Sequence, residues 1–148
     1  MSKYQKATIP ALKTTYLFAL ADFRDPALIS RAIDFAFSND LRSQDLPGFL
    51  ASLLNSFSPA VRAATWSAVK AHWADLEKEI PTAIGAITGS TGAFCDAASK
   101  KDIQDFFATH SAGAGSRGLQ RSLERIDRCI AFRAAQQQSF DRAIAAIK

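Results

Sequence analysis

Apolar residues recur at spacings of three and four along almost the whole chain, and no β-branched run alternates strictly with polar residues. The pattern predicts an all-α fold, with boundaries set by capping residues, prolines and glycines. A short first helix is expected over Ser2 to Ala7. Thr8 then reads as the N-cap of a segment from Ile9 to Ala21, with Pro10 in its first turn, where a missing N–H costs nothing. Asp25-Pro26 opens a helix to about Ser38 that buries Leu28, Ile29, Ala32, Phe35 and Ala36, and Asn39-Asp40 ends it. Ser43 or Asp45 caps the next helix, which runs to about Ser56 around Leu46, Phe49, Leu50, Leu53 and Leu54. Ser58-Pro59 opens another, whose stripe of Val61, Trp66, Val69, Trp73 and Leu76 extends to Glu79. Pro81 starts a shorter helix weakened by the Gly89-Ser90-Thr91-Gly92 region, Ser99 caps a helix through His110, and Ser116 caps the longest, reaching Ile147.

About eight helices joined by loops of roughly two to six residues pack as antiparallel hairpins. The Asp25-Pro26 and Ser58-Pro59 starts lie 33 residues apart, the offset of a helical-hairpin repeat. Helix pairs stacked in this way form a HEAT-like α-solenoid, a superhelical bowl with one concave face.

The 148 residues fit one domain, 48% hydrophobic and 22% charged. A chain of this size buries roughly 70% of its unfolded surface, enough for a core without disulfides or a structural metal. Cys95 and Cys129 are the only cysteines, in no zinc-binding spacing, and are expected reduced in a helical core. The formal net charge is +4, and the basic residues form no tail: residues 1–74 carry 8 positive and 5 negative side chains, the rest 10 and 9. That balance does not favour nucleic acid as a partner. No stretch is apolar enough to span a membrane, and the N-terminus lacks the basic-then-apolar pattern of a signal peptide.

Few residues invite chemistry. Gly113, Gly115 and Gly118 spell GxGxxG, but the segment before them reads as a helix, and position 138 is Gln where a ribose-binding acid would stand. An interhelical loop is the reading that fits. His72 and His110 have no nucleophile or second ligand at a telling spacing, HExxH does not occur, and no two carboxylates pair as acid and base.

The last helix is more informative. At 100° per residue from Arg117, the residues Arg117, Arg121, Arg125 and Arg128 fall at about 0°, 40°, 80° and 20°, while Leu119, Leu123, Ile126 and Ile130 fall between about 180° and 240°. Four arginines thus form one stripe opposite the core. Phe132, at about 60°, shares that face and stands one turn beyond Arg128, within reach of a cation–π contact. The stripe is either a solvated basic face partly neutralised by Glu124, or a wall that receives a carboxylate-bearing ligand or an acidic partner surface. RNA is a third reading, disfavoured because one helix face at a net charge of +4 is a thin electrostatic footprint. Arg42-Ser43-Gln44-Asp45 forms a second polar cluster between two apolar helices, either a capped turn or a second part of the same rim.

In order, these features resemble the C-terminal helical domain of the aminopeptidase N-type zinc aminopeptidases, the group that includes the endoplasmic reticulum aminopeptidases. The resemblance rests on Leu17-Phe18-Ala19-Leu20-Ala21-Asp22-Phe23 with Asp25-Pro26; on Arg42-Ser43-Gln44-Asp45, similar to the family's Arg-x-Gln-Asp turn; and on Trp66, Val69, Lys70, His72, Trp73 and Leu76. Phe94, the Ile103 to Phe107 segment, and Ser116-Arg117-Gly118-Leu119-Gln120-Arg121-Ser122-Leu123-Glu124, similar to Thr-Arg-Ala-Leu-x-x-x-Leu-Glu, complete it. Phe132 stands where the family usually places Trp.

The resemblance implies a bowl of paired helices that closes over a catalytic domain and encloses a chamber restricting access to peptides. It implies zinc in that catalytic domain and no cofactor in this chain, because HExxH and the Gly-x-Met-Glu-Asn motif are both absent here. The implied partners are the catalytic domain of the same polypeptide and the peptide substrate. Arg42, Gln44, Arg117, Arg121, Arg128 and Phe132 become candidates for the chamber wall or the interdomain contact. The alternative is a stand-alone helical scaffold that binds a protein partner on its concave face, separated from the first reading by whether an HExxH-bearing segment lies upstream.

Overall fold

A computed structural model describes residues 1–147, and among these residues the fold is all-α with no strand. Its helices are α1 (Ser2–Lys6), α2 (Pro10–Phe18), α3 (Pro26–Ala36), α4 (Leu46–Leu54), α5 (Pro59–Ala71), α6 (Trp73–Glu79), α7 (Ile84–Ser90), α8 (Ala97–Thr109) and α9 (Ser116–Ala145). Short 3-10 turns cover Ala19–Asp22, Pro81–Ala83, Thr91–Ala93 and Gly113–Gly115.

Two of the expected caps form as read. Asp25 Oδ1 accepts from the backbone N–H of Ala27 at 2.9 Å and Leu28 at 3.1 Å, and Ser58 Oγ accepts from Val61 N–H at 3.4 Å. Pro26 and Pro59 follow directly, each in a first turn where no N–H is needed. Four other caps differ. Ile9, not Thr8, holds the N-cap position of α2. The cap of α8 is Asp96, whose carboxylate accepts from Ser99 N–H at 2.7 Å and Ser99 Oγ–H at 2.8 Å, so the Ser99 hydroxyl is a donor within the cap. Gly115 holds the N-cap position of α9, and Ser116 turns its hydroxyl back to Gly113 O at 2.7 Å. Asp45 precedes α4 but caps nothing, because its carboxylate accepts from Arg42 Nε at 2.7 Å and Tyr4 Oη at 3.1 Å.

The segment expected as one helix over 59–79 is two. The backbone leaves helical geometry at His72, where φ is −105° and ψ is 16°, and α6 restarts at Trp73. Pro81 begins a 3-10 turn rather than an α-helix, and α7 runs through Gly89 to Ser90.

The core is centred on α4, which packs against α2, α3, α5 and α7. Phe49, Leu50, Leu53 and Leu54 are fully buried, as a short helix with neighbours on several sides requires. Tyr4, Phe35 and Phe49 form an edge-to-face chain, and Trp66 and Trp73 meet Phe106 and Phe107 in a second aromatic cluster with ring centroids 5.3–5.9 Å apart. Of the residues expected inside α3, Leu28 is only half-buried, while Ile33 joins the core.

Cys95 and Cys129 are not reduced. They form a disulfide, with Cα atoms 5.3 Å apart, across a sequence separation of 34. Neighbourhood in space, not spacing in sequence, pairs them: α9 passes beside the segment leading into α8. In the chain-entropy account a loop of that length adds about 3–4 kcal/mol of stability.

Candidate functional site

The first two turns of α9 are held by small residues. Thr88 Oγ1 on α7 lies 3.2 Å from Gly115 O, and Ser122 Oγ donates to Thr88 O and Gly89 O, both at 2.9 Å. A Cβ on Gly115 would run into Thr88 Oγ1, and one on Gly118 would come 3.3 Å from the same atom. Gly113 has φ +48°, a backbone conformation that favours glycine. The GxGxxG glycines therefore serve a turn and a close helix crossing, which accounts for all three without a nucleotide.

This crossing fixes the rotation of α9. Ile126 is fully buried, Leu119, Leu123 and Ile130 pack against the core, and Arg117, Arg121, Arg125 and Arg128 are exposed on the opposite side. The stem of Arg125 lies over Gly92, where an added Cβ would sit 3.2 Å from Arg125 Cδ. Glu124 does not neutralise the stripe: its Oε1 accepts from Gln120 Nε2 at 3.4 Å, and no ion pair with Arg121 or Arg128 forms among the described residues. The stripe is thus a row of guanidinium groups without carboxylate partners. Each has donors available for a planar carboxylate.

Phe132 is 67% exposed, and the expected cation–π contact with Arg128 is not among the cation–π pairs of the described residues. The two side chains share a face without touching as such a pair. From Ala131 to Ile147 every residue of the chain is exposed, so Phe132 marks the start of the part of α9 that projects beyond the body.

Arg42 and Gln44 are both exposed on the turn into α4. Arg42 bonds Asp45, and that hydrogen bond holds its guanidinium above the ordinary arginine value. Burial pushes the Tyr4 hydroxyl up, and the neighbouring Asp45 adds to the effect. The structure does not bring this turn together with the arginine stripe. α7 packs against both α4 and α9, and no hydrogen bond or ion pair joins the two clusters among the described residues.

The histidines have structural neighbours. The His72 ring stacks on Phe37 at 4.2 Å, and His110 stacks on Phe106 at 4.0 Å with Nδ1 2.9 Å from Phe106 O. Sequence reasoning missed Asp102, which receives Trp66 Nε1 at 2.6 Å and Lys70 Nζ at 2.7 Å and so ties α8 to α5. The only signal for it was a carboxylate on the helix expected from Ser99 to His110. The described residues hold no group of three or more His, Cys, Asp or Glu placed to ligate a metal, and both cysteines are bonded to each other. These side chains do not fit the zinc that the resemblance implies for a catalytic domain. No described helix is long and apolar enough to cross a membrane.

Fold and surface together define an all-helical chain with an exposed row of arginines along α9. Residues 1–128 match the family described as ERAP1-like C-terminal domain, and the chain belongs to that family. It is similar to Aminopeptidase M1 of Arabidopsis thaliana, 28% identical over 130 residues that cover 83% of this chain and 14% of that protein. It is also similar to the mitochondrial Aminopeptidase 2 of Saccharomyces cerevisiae, 27% identical over 118 residues, or 77% of this chain and 12% of the relative. Aminopeptidase M1-D of Oryza sativa subsp. japonica is 23% identical over 126 residues, covering 83% of this chain and 14% of its own length. The chain therefore spans only 12% to 14% of the length of these curated relatives.

Proposed function

We propose that this chain works as the non-catalytic C-terminal domain of a zinc aminopeptidase, where it caps the catalytic domain, encloses the substrate chamber and helps select peptides. The observation that carries this reading is the family match over residues 1–128, which includes both the Arg42 turn and the arginine stripe. In this reading the helices stack in pairs into a superhelical bowl. Arg117, Arg121 and Arg128 face either the peptide's carboxylates or an acidic surface of the catalytic domain, and Arg42 and Gln44 line a separate part of the rim. Hydrolysis belongs to the catalytic domain and its zinc. This chain contributes shape and charge.

The test uses the intact enzyme. Arg121→Glu with Arg128→Glu removes two positive charges and adds two negative ones on the same helix face. The expected result is altered kcat/KM for long or acidic peptides, or altered interdomain closure, with cleavage of a small chromogenic aminoacyl substrate nearly unchanged. Equal kinetics of variant and parent on both substrate classes, with unchanged closure, would assign the stripe to a solvated surface. The purified chain alone, supplied with zinc, is expected to cleave neither substrate, and turnover by it would overturn the non-catalytic reading.

A further inference from the structure

The disulfide lies where α9 parts from the body. Before it, residues 116–126 are held by Ser122, Gly92, Gly115 and buried Ile126. After Ile130 every residue to Ile147 is exposed. Between these parts Ile130 packs on the core, and three further links join α9 to the start of α8. Lys100 Nζ pairs with Asp127 at 2.6 Å, Cys95 bonds Cys129, and Arg133 Nη1 donates to Cys95 O at 3.5 Å. The Asp127 side chain of the ion pair is 57% exposed, and the Arg133 bond is long and exposed, so both noncovalent links are weak. The covalent link is the strong one.

We propose that Cys95–Cys129 is a redox clamp that fixes the root of the projecting part of α9 and so sets how Arg128 and Phe132 are presented. This inference is independent of the aminopeptidase reading. Both cysteines are half-buried rather than sealed in the core. Arg125 and Arg133 stand one turn before and one turn after Cys129 on the same helix face, a setting that favours the Cys129 thiolate as leaving group. The exchange starts when one thiolate of the dithiol attacks Cys95 Sγ. The Sγ–Sγ bond breaks, Cys129 departs as thiolate, and the second thiol of the reductant then displaces Cys95 from the mixed disulfide. Two electrons and two protons pass to the protein, giving two cysteine thiols, and the dithiol becomes a disulfide.

With the clamp open, residues 116–126 keep their contacts with α7, and α8 keeps Ile103 and the Asp102 bonds to Trp66 and Lys70. Only the stretch from Asp127 onward loses its covalent anchor, keeping Ile130 and the two weak polar links. A helix projecting alone into water is marginal, so this stretch frays back toward the body.

The test is hydrogen exchange on the 148-residue chain, oxidised and after treatment with dithiothreitol, with Cys95→Ser/Cys129→Ser as a second sample. Reduction is expected to speed amide exchange at residues 127–134 by about 30-fold, with residues 116–126 and α3 to α5 unchanged. The double variant is expected to show the fast pattern without reductant and no further change with it. Equal exchange at 127–134 before and after reduction overturns the clamp. So do two free thiols in protein never exposed to reductant, or loss of protection throughout α3 to α5 in both reduced protein and double variant.

Discussion

Trp66 Nε1 donates to Asp102 Oδ2 at 2.6 Å, joining two residues 36 positions apart, and Lys70 Nζ holds the same carboxylate at 2.7 Å. The pair sets α8 against α5 and orients the indole within the cluster of Phe106 and Phe107. Asp102→Asn keeps the shape and removes the charge. It is expected to lower unfolding free energy by about 1 kcal/mol at neutral pH, a value discounted for an exposed, screened site. Urea denaturation followed by tryptophan fluorescence measures it, and an unchanged midpoint would make the contact energetically idle.

The same carboxylate gives a pH signature. Burial alone raises its pKa, but the hydrogen bonds from Lys70 and Trp66 and the Lys70 charge outweigh burial, so the net shift is downward. A carboxyl with a lowered folded-state pKa stabilises fully above the ordinary carboxyl value of about 4, and that contribution is lost as pH falls through the lowered value. Stability curves taken from neutral to acid pH should therefore fall less steeply below about pH 4 in Asp102→Asn than in the parent.

Gly115 and Gly89 make an internal comparison across one helix crossing. A Cβ at Gly115 collides with Thr88 Oγ1, whereas a Cβ at Gly89 meets nothing within 4 Å. Gly115→Ala is expected to cost about 2 kcal/mol or more by forcing α9 away from α7. Gly89→Ala, inside α7, is expected to be neutral or to stabilise by up to about 1 kcal/mol. Thermal melts of the two variants should move in opposite directions or differ by several degrees.

Asp45 anchors α1 through the Tyr4 hydroxyl, 41 residues away, and the turn through Arg42. Tyr4→Phe removes one hydrogen bond and keeps the buried ring, so a loss of about 1 kcal/mol is expected. Asp45→Ala releases both partners and should cost more, with faster amide exchange in residues 2–6. Equal losses in the two variants would show that Arg42 draws no stability from the turn.

The sequence was legible where the deciding interaction is local. Asp25 and Ser58 cap helices because each carboxylate or hydroxyl reaches an N–H only two or three residues ahead. The arginine stripe was readable for the same reason, since helical periodicity alone separates Arg117, Arg121, Arg125 and Arg128 from Ile126 and Leu123. Asp45 misled because its carboxylate is taken by Arg42, three residues back, and by Tyr4, a partner that only packing supplies. Ser99 misled because Asp96, three residues earlier, offered a charged acceptor for the same turn.

By itself, then, the sequence determined the all-α class, most helix positions and which side of α9 is basic, all consequences of hydrogen bonds and periodicities that span a few residues. Only the tertiary structure decided that Cys95 meets Cys129, that the helix expected over 59–79 breaks at His72, and that Gly115 is a contact surface for Thr88. Each of these except the break joins residues 27 or more positions apart, and no local preference of the chain specifies which distant segments lie together until the core has packed.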